Sequence, residues 1–195
     1  MRDTDIAVIP ERIALLVDRL GRLSRELQYV EGLNPAQWEA LRYLARANRY
    51  SRTPGALAEF LCTTKGTVSQ TLIALEQKGL VARQRNDTDR RQIDLELTET
   101  GRELAGRDPI VHLEQSAATM AAELGAPLVK GLSKLLHDLQ QRHDVREFGV
   151  CADCTMLCVN TQPCVDTEKH RCGLTNDWLS ASDQQKICAD FKRTA

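Results

Sequence analysis

The stretch Thr64-Lys65-Gly66-Thr67-Val68-Ser69-Gln70-Thr71-Leu72-Ile73-Ala74-Leu75-Glu76-Gln77-Lys78-Gly79 decides how the rest of the chain is read. Val68, Leu72, Ile73 and Leu75 recur at helical spacing, which predicts a helix from Thr67 to Lys78 with one apolar side. Gly79 ends it, because glycine adopts the left-handed turn after a helix without penalty. Thr63-Thr64-Lys65-Gly66 reads as the turn or cap in front. Thr63, Thr64, Lys65, Thr67, Ser69, Gln70 and Thr71 are left as small or polar groups facing outward. Upstream, Ala56 to Leu61 predicts a short helix after the loop Arg52-Thr53-Pro54-Gly55. Downstream, Leu80-Val81-Ala82-Arg83, a polar loop from Gln84 to Gln92 and the alternating Ile93, Leu95 and Leu97 predict a β-hairpin.

Helix, short helix, turn, helix and charged hairpin is the order of a winged helix-turn-helix. A helix with small polar side chains fits a DNA major groove, about 12 Å wide, and reaches base edges. A hairpin with arginine at its tip reaches the backbone or the minor groove. Lys65 and the hydroxyls suit phosphates, and Gln70 suits a bidentate contact to adenine. From Leu61 to Arg91 six Lys or Arg stand against three acids, a local +3 in a chain of net charge −1. The polar helix alone equally describes a solvated helix with ordinary caps; the basic hairpin turns the reading toward DNA.

Further out, Ile13, Leu16, Val17, Leu20, Leu23 and Leu27 form the stripe of a long amphipathic helix with Pro10 in its first turn. Gly32-Leu33 breaks it, and Asn34 caps a helix that starts at Pro35 and carries Trp38, Leu41 and Leu44. Past the hairpin, Thr98-Glu99-Thr100-Gly101 opens a helix expected to reach about Leu124, kinked or divided at Pro109. Gly125-Ala126-Pro127 is expected to separate it from a last helix with Leu128, Leu132, Leu135 and Leu139. The stripes on the first and last helices need a partner, which a second copy would supply.

Together these residues resemble the MarR family of transcriptional regulators. The likeness rests on Leu57-Ala58-Glu59-Phe60-Leu61, on Thr64 to Leu72, on Leu75 to Val81, on the wing Asp87-Thr88-Asp89-Arg90-Arg91-Gln92-Ile93 and on the closing Leu97-Thr98-Glu99-Thr100-Gly101. It spans about residues 10–145. The resemblance implies a homodimer held by the first and last two helices, with two winged modules on a pseudo-palindromic site in double-stranded DNA. It implies that Asp89 orients the wing and that Arg91 enters the minor groove with Arg90 beside it. It also allows a small apolar or phenolic effector between the DNA-binding and dimer lobes. Half-sites on one face of DNA are expected about 34–36 Å apart, or a multiple of that.

The chain has 195 residues, 42% of them hydrophobic and 27% charged, which fits one folded domain with an appendage and excludes a largely disordered chain. No run approaches the ~18 apolar residues of a membrane span. No apolar core follows Met1-Arg2-Asp3-Thr4-Asp5-Ile6, so no secretory signal and a cytoplasmic location are expected. Paired carboxylates, a nucleophile–base motif and a phosphate loop are all missing from the sequence, and an enzyme is not expected.

The cysteines are the unusual feature. Six of seven fall between Cys151 and Cys188, spaced Cys151-x2-Cys154-x3-Cys158-x5-Cys164-x7-Cys172-x15-Cys188. They sit in a leucine-poor stretch, 146–195, that cannot bury enough apolar surface to offset an ordering cost of ~1.5 kcal/mol per residue. A bound metal centre is the usual remedy. In a reducing compartment clustered thiols read as ligands rather than disulfides. Cys151-x2-Cys154, then Cys172-Gly173-Leu174, then Cys188-Ala189-Asp190-Phe191 resembles small cysteine-rich [4Fe–4S] modules, such as those in the small subunits of benzylsuccinate synthase. The same pattern occurs appended to some MarR-type proteins. That resemblance implies Cys151, Cys154, Cys172 and Cys188 as the ligands. A compact set of Cys151, Cys154, Cys158 and Cys164 competes with it, and Zn2+ competes with the cluster, with His170 close enough to complete a three-cysteine site. Phe148, Trp178 and Phe191 are expected to form an apolar shell or simply a small core. Cys62 is expected as a small buried side chain, and His112, His137 and His143 as helix-surface residues.

The expected fold is therefore mainly α with a small β-hairpin wing. Residues 1–33 and 99–145 form the dimerisation helices, 34–98 the winged helix-turn-helix and 146–195 a small metal-stabilised module. The expected function is a DNA-binding transcriptional regulator, a repressor, whose operator binding is modulated by the [4Fe–4S] cluster. The alternative is a MarR-type regulator with a structural four-cysteine zinc site that answers a small aromatic effector. Because the module follows directly on Asp144-Val145, its loss is expected to loosen the last dimerisation helix.

Overall fold

The structure is a computed structural model that describes residues 8–85, 93–160 and 169–193. Helix α1 (Ile9–Glu26) has Pro10 in its first turn. Helix α2 (Pro35–Arg46) starts in a capping box: the Gln37 N–H donates to Asn34 Oδ1 at 3.0 Å, and the Asn34 N–H donates to Gln37 Oε1 at 3.2 Å. Thr53 caps α3 (Pro54–Phe60) and Thr64 caps α4 (Lys65–Gln77). Helix α4 thus begins two residues before the expected Thr67, since the Thr64 hydroxyl accepts the Thr67 N–H and brings Lys65 and Gly66 into the first turn. Gly79 has φ +68°, as a helix-ending glycine does. Strand β1 (Val81–Arg85) pairs antiparallel with β2 (Ile93–Leu97), Val81 opposite Leu97 and Arg85 opposite Ile93.

One core joins these elements. Trp38, Leu41, Tyr43 and Leu44 of α2 meet Leu57 of α3, Val68, Leu72 and Leu75 of α4, and Leu95 of the wing, all almost fully buried.

After the hairpin the expected division at Pro109 is found, while a second division at Thr119–Met120 and the course through Pro127 depart from expectation. The helix expected to reach Leu124 is divided into α5 (Glu99–Ala105), α6 (Val111–Ala118) and the start of α7 (Ala121–Arg142). The first division lies beside Pro109, where Asp108 turns its carboxylate onto the Ile110 N–H at 3.0 Å. Conversely, Gly125-Ala126-Pro127 does not end a helix: α7 runs straight through Pro127. A proline inside a helix costs about 3 kcal/mol. Here Ala121, Ala122, Leu124, Ala126 and Leu128, all strong helix formers, surround it.

The cysteine-rich segment folds as β3 (Gly149–Val150), a single helical turn at Cys151–Asp153, β4 (Leu157–Asn160), β5 (Lys169–Cys172), β6 (Trp178–Leu179), the one-turn helix α8 (Ala181–Gln184) and β7 (Ile187–Cys188). Strands β3 and β7 pair, and β4, β5 and β6 form a three-stranded antiparallel sheet. The change of composition near residue 145 is no break in packing. Ala189 is buried within the winged-helix core, and Ile187 and Phe148 pack against it. Phe148 stands edge-on to Phe60 at 5.2 Å and to Tyr43 at 6.3 Å between ring centres.

Helices α1 and α7 bury no residue. Ile13, Leu16, Val17, Leu20, Leu23 and Leu27 on one, and Leu124, Leu128, Leu132, Leu136 and Leu139 on the other, stand exposed. No helix among the described residues is long and apolar enough to cross a membrane.

Candidate functional site

Helix α4 is held from behind by Val68, Leu72 and Leu75, so its polar residues divide between two fronts. Lys65 and Gln70 are exposed and Ser69 is half-buried on the outward front. The Ser69 carbonyl also accepts from Arg83 Nη2 of β1 at 3.4 Å. Thr67 and Thr71 turn the other way and line a cleft with Arg25, Tyr29, Glu39 and Cys62. Their hydroxyls are engaged locally, Thr67 Oγ1 with Thr64 Oγ1 at 3.0 Å and Thr71 Oγ1 donating to the Thr67 carbonyl at 3.1 Å. Cys62 is exposed at φ +49° in the turn before α4, so the expectation of a buried packing thiol is corrected. A residue in that left-handed turn points out of the helix pair rather than into it.

The cations of this region are not equivalent. Arg83 pairs with Glu76 of α4 at 2.9 Å, which ties wing to helix. Lys78 donates to the Gly32 carbonyl. Lys65 and Arg85 stay exposed. Asp89, Arg90 and Arg91 lie outside the described residues.

The segment Leu97-Thr98-Glu99-Thr100-Gly101 is a joint. Thr98 Oγ1 donates to the Gly79 carbonyl at 2.7 Å and accepts the Gly101 N–H at 3.0 Å, while the Thr98 N–H donates to the Leu80 carbonyl at 3.1 Å. A Cβ at residue 101 would fall inside the Leu80 carbonyl. One threonine and one glycine thereby fix the end of α4, the wing and the start of α5 together.

The second constellation is the cysteines. Cys151, Cys154, Cys172 and Cys188, the four expected ligands, line one pocket with Met156, Leu157, Leu174 and Leu179. Asn48, Tyr50, Thr175 and Asp190 supply its polar rim. Cys151 hydrogen-bonds Cys188; this bond draws Cys188 below the usual thiol range and, with burial, pushes Cys151 above it. Cys172 and Cys154 also raise Cys151 through their charge. The Lys192 N–H donates to Cys154 Sγ at 3.4 Å, and the Asn48 side chain and the Asp190 backbone help to hold Cys188 below the usual thiol range. Among the described residues no three His, Cys, Asp or Glu side chains are gathered closely enough to grip a single metal ion.

Cys158 is exposed on β4 with its thiol toward the Met156 carbonyl, outside the pocket lining. Cys164 lies outside the described residues. His170 is half-buried on β5 and does not line the pocket. Phe148, Trp178 and Phe191 are not its walls either: Phe148 joins the winged-helix core, Arg171 stacks on Trp178 at 4.9 Å, and Phe191 lies against Gly149. The apolar wall is aliphatic.

Residues 31–92 match the model of the MarR family. The segment covers α2 through β1 and stops before β2. No curated protein matches the chain. Solved structures match its fold: the S. aureus MepR–DNA complex (24% identity, 67% of this chain and 96% of that one, TM-score 0.55), Streptococcus pneumoniae FabT in complex with DNA (25%, 70% and 98%, 0.55) and the regulator BldR from Sulfolobus solfataricus (23%, 71% and 99%, 0.55). About a third of this chain lies beyond those matches.

Several residues that connect the MarR-like half to the cysteines carry no signal in the sequence. Arg146 pairs with Glu59 of α3 at 2.6 Å and with Asp190 at 2.8 Å. Glu147 takes His137 of α7 at 2.7 Å and Arg193 at 2.9 Å, so His137, expected as a bare surface residue, has an acid partner. Asn48 and Ser51 read as plain loop residues, yet both are buried. Their partners lie about 140 positions away, beyond any local pattern.

Proposed function

We propose that this chain is a dimeric DNA-binding transcriptional regulator, a repressor, whose operator affinity depends on a [4Fe–4S] cluster held by Cys151, Cys154, Cys172 and Cys188. The observation that carries the reading is the convergence of these four thiols, drawn from both ends of a 38-residue stretch, on one pocket packed against the MarR-like half. The donor set fits the cluster. Thiolates are the ligands of iron–sulfur centres, N–H groups aimed at the sulfurs offset their charge, and aliphatic walls limit solvent. Bound there, the cluster would supply a redox- or oxygen-sensitive charge beside the DNA-reading domain.

Among the structural relatives, MepR and FabT are seen on DNA. In this chain Lys65, Ser69 and Gln70 form the outward front of α4, Thr64 caps it and Thr67 and Thr71 brace it, while Arg90 and Arg91, oriented by Asp89, reach the backbone and minor groove of a pseudo-palindromic site. The apolar stripes of α1 and α7 form the dimer face, since a monomer would leave both in water.

Anaerobic purification tests the reading. A brown protein with iron and sulfide in equal amounts, about four of each per chain, and operator affinity that changes on exposure to air is expected. A colourless protein containing zinc, with air-insensitive DNA binding, overturns it. A second reading then applies, with structural zinc and a small aromatic effector in the cleft between α1 and α4, where Arg25 and Tyr29 face Thr67 and Thr71.

A further inference from the structure

We propose that Asn48 is the positioning residue through which the cysteine centre addresses the DNA-reading half; this rests on reading Cys188 as a cluster ligand. The loop between α2 and α3 is a junction of three parts of the molecule. Asn48 is buried. Its backbone N–H donates to the Ile187 carbonyl at 2.8 Å, and its side-chain oxygen accepts the Ser51 N–H at 2.9 Å. Asn48 also lines the cysteine pocket beside Cys188.

Ser51, with no exposed surface, extends the contact. Its hydroxyl accepts the Ala189 N–H at 2.8 Å, and its carbonyl accepts the Tyr43 hydroxyl of α2 at 2.7 Å. The next residue, Arg52, accepts the Leu95 N–H of β2 at 2.7 Å through its carbonyl. The path from a ligand residue to the wing strand is therefore Cys188, Ile187, Asn48, Ser51, Arg52 and Leu95. Every step is a hydrogen bond or a peptide link.

The attachment to α7 is of another kind. Glu147 bonds His137, Gln141 and Arg193 at the edge of a separate hollow, and none of these residues lines the cysteine pocket. A change in the position of Cys188 moves the neighbouring Ile187 carbonyl against the buried Asn48 N–H, and a buried polar group without a partner is costly. The loop that answers carries the cap of α3 and the anchor of β2. By linkage, DNA that favours one arrangement of this loop favours the matching state of the centre.

The test uses the full-length protein and a duplex it selects from a random-sequence pool. Kd is measured for the cluster-loaded and cluster-free forms, with iron, sulfide and reduction potential recorded on each loaded sample. The wild-type ratio of the two Kd values is expected at about 5–150-fold. Asn48→Ala removes the acceptor of the Ser51 N–H and is expected to load iron and sulfide and to bring the ratio to within about twofold of unity. Glu147→Gln is expected to keep the wild-type ratio. If Asn48→Ala does not fold, Ser51→Ala carries the same expectation for the ratio. A loaded Asn48→Ala or Ser51→Ala protein with the wild-type ratio overturns the inference, as does a ratio lost in Glu147→Gln and kept in Asn48→Ala. A wild-type protein that takes up no iron and sulfide is a different result: it overturns the cluster reading beneath.

Discussion

Arg42 and Asp108, 66 positions apart, form a two-pronged ion pair, Nε to Oδ2 at 2.6 Å and Nη2 to Oδ1 at 2.7 Å. Both side chains are mostly buried, and Arg42 Nη2 also reaches Gln28 Oε1 at 3.4 Å. One arginine of α2 thus holds the exit of α1 and the break between α5 and α6, where the flanking helices join the winged helix. Asp108→Ala leaves the guanidinium with a weak partner and frees the Ile110 N–H. A loss of about 1.5–3 kcal/mol in unfolding free energy is expected, the range for hydrogen bonds to charged groups. Urea unfolding measures it; a change under about 0.5 kcal/mol, as for an ordinary surface substitution, counts against this joint.

Gly101 predicts a sharper failure. Its missing Cβ is the space that the Leu80 carbonyl occupies, and Thr98 bonds Gly79 and Leu80 alongside it. Gly101→Ala must push α5 away from the end of α4, an overpacking expected to cost about 1–3 kcal/mol or more. Because the shift also moves β2, DNA affinity is expected to fall with stability. Thermal melting and DNA binding on the same sample check this, and wild-type values in both refute it.

Helix α4 was legible because its signals are local: Thr64, Val68, Leu72, Leu75 and Gly79 lie within one window and act within it. Asn34-Pro35 announced α2 for the same reason. The four pocket cysteines were expected together because their frame resembles small cysteine-rich modules, and the fold does line one pocket with them. Asn48, Ser51 and Arg146 were not legible, because their roles depend on partners that the fold brings from the other end of the chain. Pro127 misled because a local breaker lost to the helix-forming residues around it. Cys62 misled because thiols are usually buried, whereas here the backbone turns left-handed at that residue.

Within α4 stability and recognition separate. Thr64 accepts the Thr67 N–H at 3.1 Å, so Thr64→Ala is expected to cost about 1 kcal/mol of stability through the lost cap. Gln70 is exposed and unburdened by such a role, so Gln70→Ala is expected to leave the melting temperature unchanged and to cost about 1–3 kcal/mol of operator discrimination. Lys65→Ala is expected to lower the slope of log K against log salt by about 1, as a phosphate contact does. Arg91→Ala is expected to weaken operator binding by orders of magnitude with the dimer intact. Fluorescence anisotropy at several salt concentrations separates these outcomes, and an unchanged affinity for Arg91→Ala sinks the wing assignment.

The cysteines divide in the same testable way. Cys151, Cys154, Cys172 and Cys188 line the pocket, whereas Cys158 presents its sulfur to solvent beside the Met156 carbonyl. Serine in place of any of the four is expected to remove most of the bound iron, since a hydroxyl at neutral pH does not replace a thiolate ligand. Cys158→Ser is expected to keep the iron. The compact set of Cys151, Cys154, Cys158 and Cys164 makes the opposite forecast: Cys158→Ser empties the site and Cys172→Ser and Cys188→Ser do not. Melting temperature adds an independent reading. Cys188 borders Ala189 and Ile187, which pack into the winged-helix core, so loss of the centre is expected to loosen that core as well as the module. Iron and sulfide assays on the five serine variants, each paired with a melt, decide between the two ligand sets, and Cys172→Ser protein that retains full iron overturns the set favoured by the pocket.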